Sequence, residues 1–306
     1  MGYLFVGIAC LCGAVKGYCG KKTSGSADTL SGAMLINTVR MLLCIVIGFF
    51  FILLYERDVT ALAVNGKLLL ISALSGLGTS LFVVSWLLAV RQGAYMMLDV
   101  FLTLGVLVPL LLCYFLFGDP IAPLQWVGLG LLLIATYIMC TYNNRIKKRM
   151  TFASFLLLVL CGAANGVSSF AQKWFIHDFP AGSTTVFNFY TYVFSAAVLI
   201  IPLLAVICKG RLTKKGAAVP RTQNALRVVT GVLPYLVIMA LCLFLHSFFT
   251  TTAARYLSPA QLYPLSQGTG LILSLLMAAI LFKEKITPRC MVGILIAFGA
   301  LVIINL

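Results

Sequence analysis

Apolar residues occupy this chain in ten long stretches separated by short polar turns, at 3–20, 31–54, 67–90, 93–117, 121–141, 151–175, 183–208, 228–252, 257–282 and 287–305. A helix rises about 1.5 Å per residue, so about 20 apolar residues cover the ~30 Å hydrocarbon core of a bilayer. Each stretch is of that order and predicts a transmembrane helix. The expected fold is therefore an all-α integral membrane protein. The first stretch is the least hydrophobic, with Lys16 and five glycines (Gly2, Gly7, Gly13, Gly17, Gly20) in or beside it, a composition that permits close backbone approach to another helix. It lacks a basic leading region and a small-residue cleavage site, so it reads as a retained helix and not as a signal peptide.

The punctuation between the stretches repeats. Phe117-Gly118-Asp119-Pro120-Ile121-Ala122-Pro123 aligns without a gap on Phe282-Lys283-Glu284-Lys285-Ile286-Thr287-Pro288 at an offset of 165 (284 − 119), and in the same register Gly128 falls on Gly293. Upstream, Leu11-Cys12-Gly13-Ala14-Val15-Lys16-Gly17 aligns on Leu160-Cys161-Gly162-Ala163-Ala164-Asn165-Gly166 at 149 (162 − 13), and Asn37 on Asn188 at 151. Matches in the correct order at helix-equivalent places argue for duplication. A duplicated unit of five helices, an odd number, must insert with opposite orientation. The expectation is two inverted-topology five-helix repeats, 1–142 and 150–306, joined by a basic loop at 143–149, a construction typical of secondary transporters.

Each predicted half ends in a small-residue-rich helix, an aromatic, an acid and a Gly-containing helix, seen as Leu116-Phe117-Gly118-Asp119 and Leu281-Phe282-Lys283-Glu284. With Pro264 in the ninth stretch and Gln172-Lys173 at the end of the sixth, this pattern resembles the ten-helix EamA-type branch of the drug/metabolite transporter superfamily over essentially the whole chain. The resemblance implies a secondary transporter, not an enzyme. Such a protein moves a small organic metabolite or drug-like solute by alternating access, with an amino acid or related metabolite favoured. A gradient drives it, through exchange or a coupled proton, with no cofactor and no metal. The implied setting is a bacterial plasma (inner) membrane, as monomer or homodimer. Two departures mark the first half: Asp stands for Glu at 119, and Asp99 stands where comparison with Pro264 (264 − 165 = 99) expects proline.

Composition excludes the alternatives more firmly than it selects a solute. At 62% hydrophobic and 9% charged, with a mean hydropathy of +1.08, the chain has far more apolar surface than a soluble core can bury. The net charge of +15 arises from bases that punctuate apolar runs, which suits anionic lipid headgroups and not nucleic acid. Sixteen bases fall in turns after odd-numbered stretches: Lys21, Lys22, Arg91, four in Asn143–Arg149, six in Lys209–Arg227, and Lys283, Lys285 and Arg289. Positive charge in short loops marks the cytoplasmic side, so both termini are expected outside, whereas the resemblance implies cytoplasmic termini. The ten cysteines carry no CxxC pair or Cys/His cluster and read as small packing residues, without disulfides.

Ionisable residues at membrane depth are costly, which makes Lys16, Arg40 and Asp99 candidates for the solute and coupling cavity. By helix rise all three fall in one layer, where Asp99 could neutralise one base while the other attracts an anionic group. The alternative is an ion pair that only holds helices together, or bases that snorkel to headgroups. The second half offers neutral candidates: Asn165, Ser168, Ser169 and Gln172, all on one face of the sixth stretch, then Asn188, Tyr190, His246, Gln261, Tyr263 and Gln267, with Asn37 their first-half counterpart. Packing between helices is the competing role for this set. Asp119 and Glu284 are expected to be structural, since Asp119-Pro120 and Thr287-Pro288 look like capped helix starts. Seven carboxylates and two histidines form no HExxH, GxSxG, paired intramembrane aspartates or Walker loop, which disfavours an intramembrane enzyme; a channel or scaffold is the other alternative. Sodium coupling is disfavoured because no broken helix with clustered carbonyl-exposing glycines and acids is evident.

Overall fold

The computed structural model describes the chain except residues 27–28, 57–61, 63–64, 92–94, 141–151, 213–221, 282–287 and 306, and within helices the side chains at 95–97, 99–100, 139–140, 206–212, 222–228, 274–275, 277–279, 281 and 290. Eleven helices and no strand occur among the described residues: α1 (Gly2–Ser24), α2 (Leu30–Tyr55), α3 (Gly66–Arg91), α4 (Tyr95–Gly105), α5 (Leu107–Phe117), α6 (Pro123–Cys140), α7 (Phe152–Asp178), α8 (Thr184–Leu212), α9 (Thr222–Ala253), α10 (Pro259–Leu281) and α11 (Pro288–Asn305). Glu284 and the basic loop 143–149 lie outside the described residues, as do the central residues of the 209–227 loop.

Among the described residues, nine of the ten apolar stretches are single helices. The stretch 93–117, expected as one helix, is instead broken at Val106. Pro109 is the reason, because it has no N–H for the Gly105 carbonyl and its ring crowds that carbonyl. The backbone tightens locally, with the Val106 N–H donating to Thr103 O at 3.1 Å. Further along, α5 ends on Gly118, which adopts φ 68°, a left-handed conformation that suits glycine. Its N–H donates to Tyr114 O at 3.2 Å, the bond of an αL cap, and the Asp119 N–H donates to Cys113 O at 3.4 Å.

That closure corrects the reading of Asp119-Pro120 as a helix start. The chain stays non-helical until Pro123, where the Ala122 N–H donates to the Gln125 side chain at 3.0 Å. Pro288 does open α11. At the start of α10, the Gln261 N–H donates to Ser258 Oγ at 3.3 Å and the Ser258 N–H to Gln261 Oε1 at 3.4 Å, with Pro259 in the first helical position. This reciprocal capping box satisfies two otherwise orphaned donors and commits Gln261 to the helix end.

The two parts of the chain interdigitate. The most extensive contacts are α1 with α9, α3 with α7, α6 with α11, α2 with α8 and α3 with α8, followed by α4 with α7, α1 with α10 and α2 with α9. Exchanging α1 with α7, α2 with α8, α3 with α9, α4 and α5 with α10, and α6 with α11 maps this set onto itself. Small residues make the approach possible. A Cβ on Gly105 or on Gly162 would run into the backbone of the other helix, and one on Gly78 would come within 2.9 Å of Ala164 O. Such contacts bring helix backbones together where no solvent drives association.

Burial is inverted relative to a soluble protein. Asn37, Ser72, Asn188 and Ser195 are wholly buried, while Phe115, Phe152 and Ile280 are 74%, 76% and 72% exposed. Among the described residues, six helices have the length and apolarity to cross a bilayer, and Pro123–Ile138 and Met291–Asn305 form shorter apolar helices. The chain is a multi-pass integral membrane protein, with an apolar outer surface suited to lipid and polar groups turned inward.

Candidate functional site

Inside the bundle lies a cavity of about 60 Å³. Helical periodicity builds its walls. Asn165, Ser168, Ser169 and Gln172 form one stripe on α7; Leu243, His246, Ser247 and Thr250 repeat the same spacing on α9; Tyr263, Ser266 and Gln267 follow on α10. Lys16 enters from α1, Thr79 and Phe82 from α3 and Tyr192 from α8, and the α4–α5 break contributes Gly105, Val106 and Pro109. A second space of about 90 Å³ shares Lys16, Phe82, Asn165, His246, Ser266 and Gln267 with the first and extends past Gly13 and Gly17 to Trp86 and Leu102.

The walls are held by directed hydrogen bonds. Gln172 Nε2 donates to Ser247 Oγ at 3.2 Å, Ser247 Oγ donates to Asn188 Oδ1 at 2.5 Å, and Asn188 Nδ2 donates to Thr184 O at 3.0 Å. This chain ties α7, α9 and α8. Tyr263 donates to Ser169 O at 2.8 Å and Tyr192 to Leu243 O at 3.2 Å, while Thr79 and Ser168 share a hydroxyl bond of 3.0 Å across α3 and α7. His246 Nδ1 lies 2.8 Å from Ala9 O. A carbonyl only accepts, so Nδ1 carries the proton and Nε2 of the neutral ring is left as an acceptor.

Lys16 is the one formally charged side chain among the described lining residues, and it borders both spaces. Its ammonium lies 5.6 Å from the centroid of the Phe82 ring, and it has no ion pair among the described residues. Lys16 is half-buried, whereas Arg40 is a buried base, 2% exposed, whose Nε has no hydrogen-bond partner among the described residues. It interacts electrostatically with Lys16 as a like charge. Asp99 belongs to α4, one turn before the lining residue Leu102, and its side chain lies outside the described residues.

Of the residues picked from sequence, Lys16, Asn165, Ser168, Ser169, Gln172, His246, Tyr263 and Gln267 line the cavity, and Asn188 stands one hydrogen bond behind it. Four others do not line it either. Arg40 is buried behind the wall. Asn37 spends its amide on Ala33 O at 2.9 Å and Val83 O at 3.2 Å, tying α2 to α3. Tyr190 donates to Leu62 O at 2.8 Å, ahead of α3, and Gln261 is the helix cap described above. Asp119 lies outside the cavity; its Oδ2 is buried without a hydrogen-bond partner among the described residues. Lys173 Nζ instead donates to Ala254 O at 3.0 Å and Leu257 O at 3.4 Å, capping the end of α9. Sequence reasoning passed over Thr79, Ser247 and Ser266, and the backbone at Gly105–Pro109. Ser247 had a signal, since it lies between His246 and Thr250 on one helical face.

One end of the cavity is sealed. Beyond Gln172, Thr250 and Pro109, Phe175, Phe187, Leu110, Leu257 and Leu262 pack as one apolar cluster with Val6. Past that cluster, Ser183 Oγ donates to Glu56 Oε1, and Lys67 Nζ pairs with Asp178 Oδ2 at 3.0 Å. Both ties join a residue before α4 to one after α6. Toward the other end the second space runs to Trp86 and Leu102, and the helix ends there carry Lys21, Lys22, Arg91 and Arg289.

An apolar bundle with polar side chains gathered around an internal space suits a membrane transport protein. Residues 152–306, just over half the chain, match the model of the EamA-like transporter family, and the chain belongs to that family. It is therefore a membrane transporter of the drug/metabolite type. No curated protein matches the chain. A crystal structure of a protein 15% identical superposes with a TM-score of 0.62 over 99% of this chain and 95% of the other, a likeness of fold.

Proposed function

We propose that the protein is a secondary transporter that carries a small organic solute through this cavity by alternating access, driven by a gradient through exchange or a coupled proton. The observation that carries the reading is the cavity itself, a polar space inside an apolar bundle whose walls come from both parts of the chain. In this reading the parts are two inverted five-helix repeats, 1–142 and 150–306 around the linker 143–149, a view supported by the contact pattern that maps onto itself when the parts are exchanged. Rocking one part against the other opens the sealed end by parting Lys67 from Asp178 and Glu56 from Ser183. The charge asymmetry favours a cytoplasmic basic end, so both termini face outward across a bacterial plasma membrane. The chain acts as monomer or homodimer.

Counterflow tests the reading. Purified protein in proteoliposomes loaded with amino acids, organic acids, nucleobases or cationic drugs is expected to exchange at least one of these classes for its external labelled form. Failure to exchange any of the four overturns it. Linking Lys67→Cys to Asp178→Cys with a short thiol cross-linker is expected to stop exchange and reduction of the linker to restore it. Labelling of a cysteine at position 147 by an impermeant reagent in intact cells would reverse the orientation.

A further inference from the structure

Resting on the transporter reading, we propose that the solute is an organic monoanion whose carboxylate docks on Lys16. Charge accounting within the membrane layer carries the argument. The apolar helices carry two bases within the bundle, Arg40 buried and Lys16 half-buried at the cavity edge, and the sequence supplies one acid at comparable depth, Asp99. Assigning Asp99 wholly to either base leaves the other uncompensated, so the layer carries a net positive charge. In a low-dielectric interior that field is weakly screened and acts over the whole cavity.

Lys16 is where this charge meets open space. It borders both overlapping spaces, and no carboxylate occurs among the described lining residues. Asn165 and Gln267 line the same two spaces and offer amide N–H donors suited to carboxylate oxygens. Phe82, Val106 and Leu243 supply apolar walls, which favour an organic body over an inorganic ion. A neutral solute leaves the ammonium without a counter-charge, and a cation adds a like charge. An amino acid brings an ammonium group of its own, for which the described lining holds neutral acceptors and no acid.

The test compares molecules that share a skeleton and differ in charge: phenylpropanoate, phenylpropanamide and phenylalanine, and in a second series butanoate, butanamide and α-aminobutyrate. Binding is measured at neutral pH by calorimetry on the purified full chain. In at least one series the carboxylate is expected to bind about 10- to 100-fold more tightly than its amide, the range for a hydrogen bond to a charged group, and more tightly than the amino acid. Lys16→Gln is expected to abolish that gap and Lys16→Arg to keep it. Equal or tighter binding of amide or amino acid in both series, no binding of either carboxylate, or an unchanged ratio in folded Lys16→Gln overturns the proposal. If Lys16→Gln does not fold, the unmodified protein decides through its two ratios alone. Counterflow separates the two readings. A carboxylate bound but never exchanged keeps the anion site and removes the transporter, whereas exchange of amides or amino acids without carboxylates does the reverse.

Discussion

The two parts of the chain present the same local construction with different chemistry. Asn37 on α2 and Asn188 on α8, aligned by the sequence repeat, are both wholly buried, and each amide donates to the carbonyl one turn back, Ala33 O and Thr184 O. Their second bonds also correspond, since Asn37 reaches Val83 on α3 and Asn188 receives Ser247 from α9. Lys16 and Asn165, likewise aligned, both line the cavity, yet one is an ionisable base and the other a neutral amide. The backbone scaffold tolerates either at that position. The difference teaches that charge is concentrated in the first part and neutral hydrogen bonding in the second. A cavity between them therefore has a charged wall and a polar wall, which suits a solute with one ionised end.

The comparison breaks most sharply where the parts touch. Gly162→Val places a Cβ against the Phe101 carbonyl and is expected to destabilise by about 3 kcal/mol, the upper range for overpacking, seen as a large fall in melting temperature. Gly130→Ala, with nothing within 4 Å, is expected to leave the melting temperature unchanged. Moving the charge is the next largest effect. Lys16→Asn is expected to weaken carboxylate binding about 10- to 100-fold, and adding Asn165→Lys to recover part of it, since both positions face one space; calorimetry on the pair checks this.

A smaller contrast distinguishes the buried asparagines. Asn37→Leu and Asn188→Leu are each expected to cost about 1–3 kcal/mol in thermal stability, through lost or unsatisfied hydrogen bonds. Only Asn188→Leu is expected also to change solute affinity, because its partner Ser247 holds Gln172 in the cavity wall. The smallest effect belongs to Gln261→Ala, a loss of about 0.5–1 kcal/mol from the α10 capping box with exchange rates unaltered in counterflow.

Much of the cavity was legible because its signal is local. Residues 165, 168, 169 and 172 share a face whatever surrounds α7, and a polar face on an apolar helix must turn inward. Gln261 and Tyr190 looked equivalent in sequence, as polar residues in apolar runs. Their partners, Ser258 Oγ and Leu62 O, are set by a helix end and by a turn whose position the hydrophobic pattern locates only to a few residues. Pro109 was visible, but a proline can kink a helix or be absorbed by it, as Pro264 is within α10.

The sequence by itself determined the helices and the net positive charge of their interior, because hydrophobic length and the count of ionisable residues are properties of the chain alone. Tertiary structure decided which helices meet: α1 packs on α9 and α3 on α7, across the chain, where glycines allow the backbones to close up. That choice depends on shape over long sequence separations, which no local pattern encodes. It turns stripes on α7, α9 and α10 into one cavity and seats Lys16 at its edge.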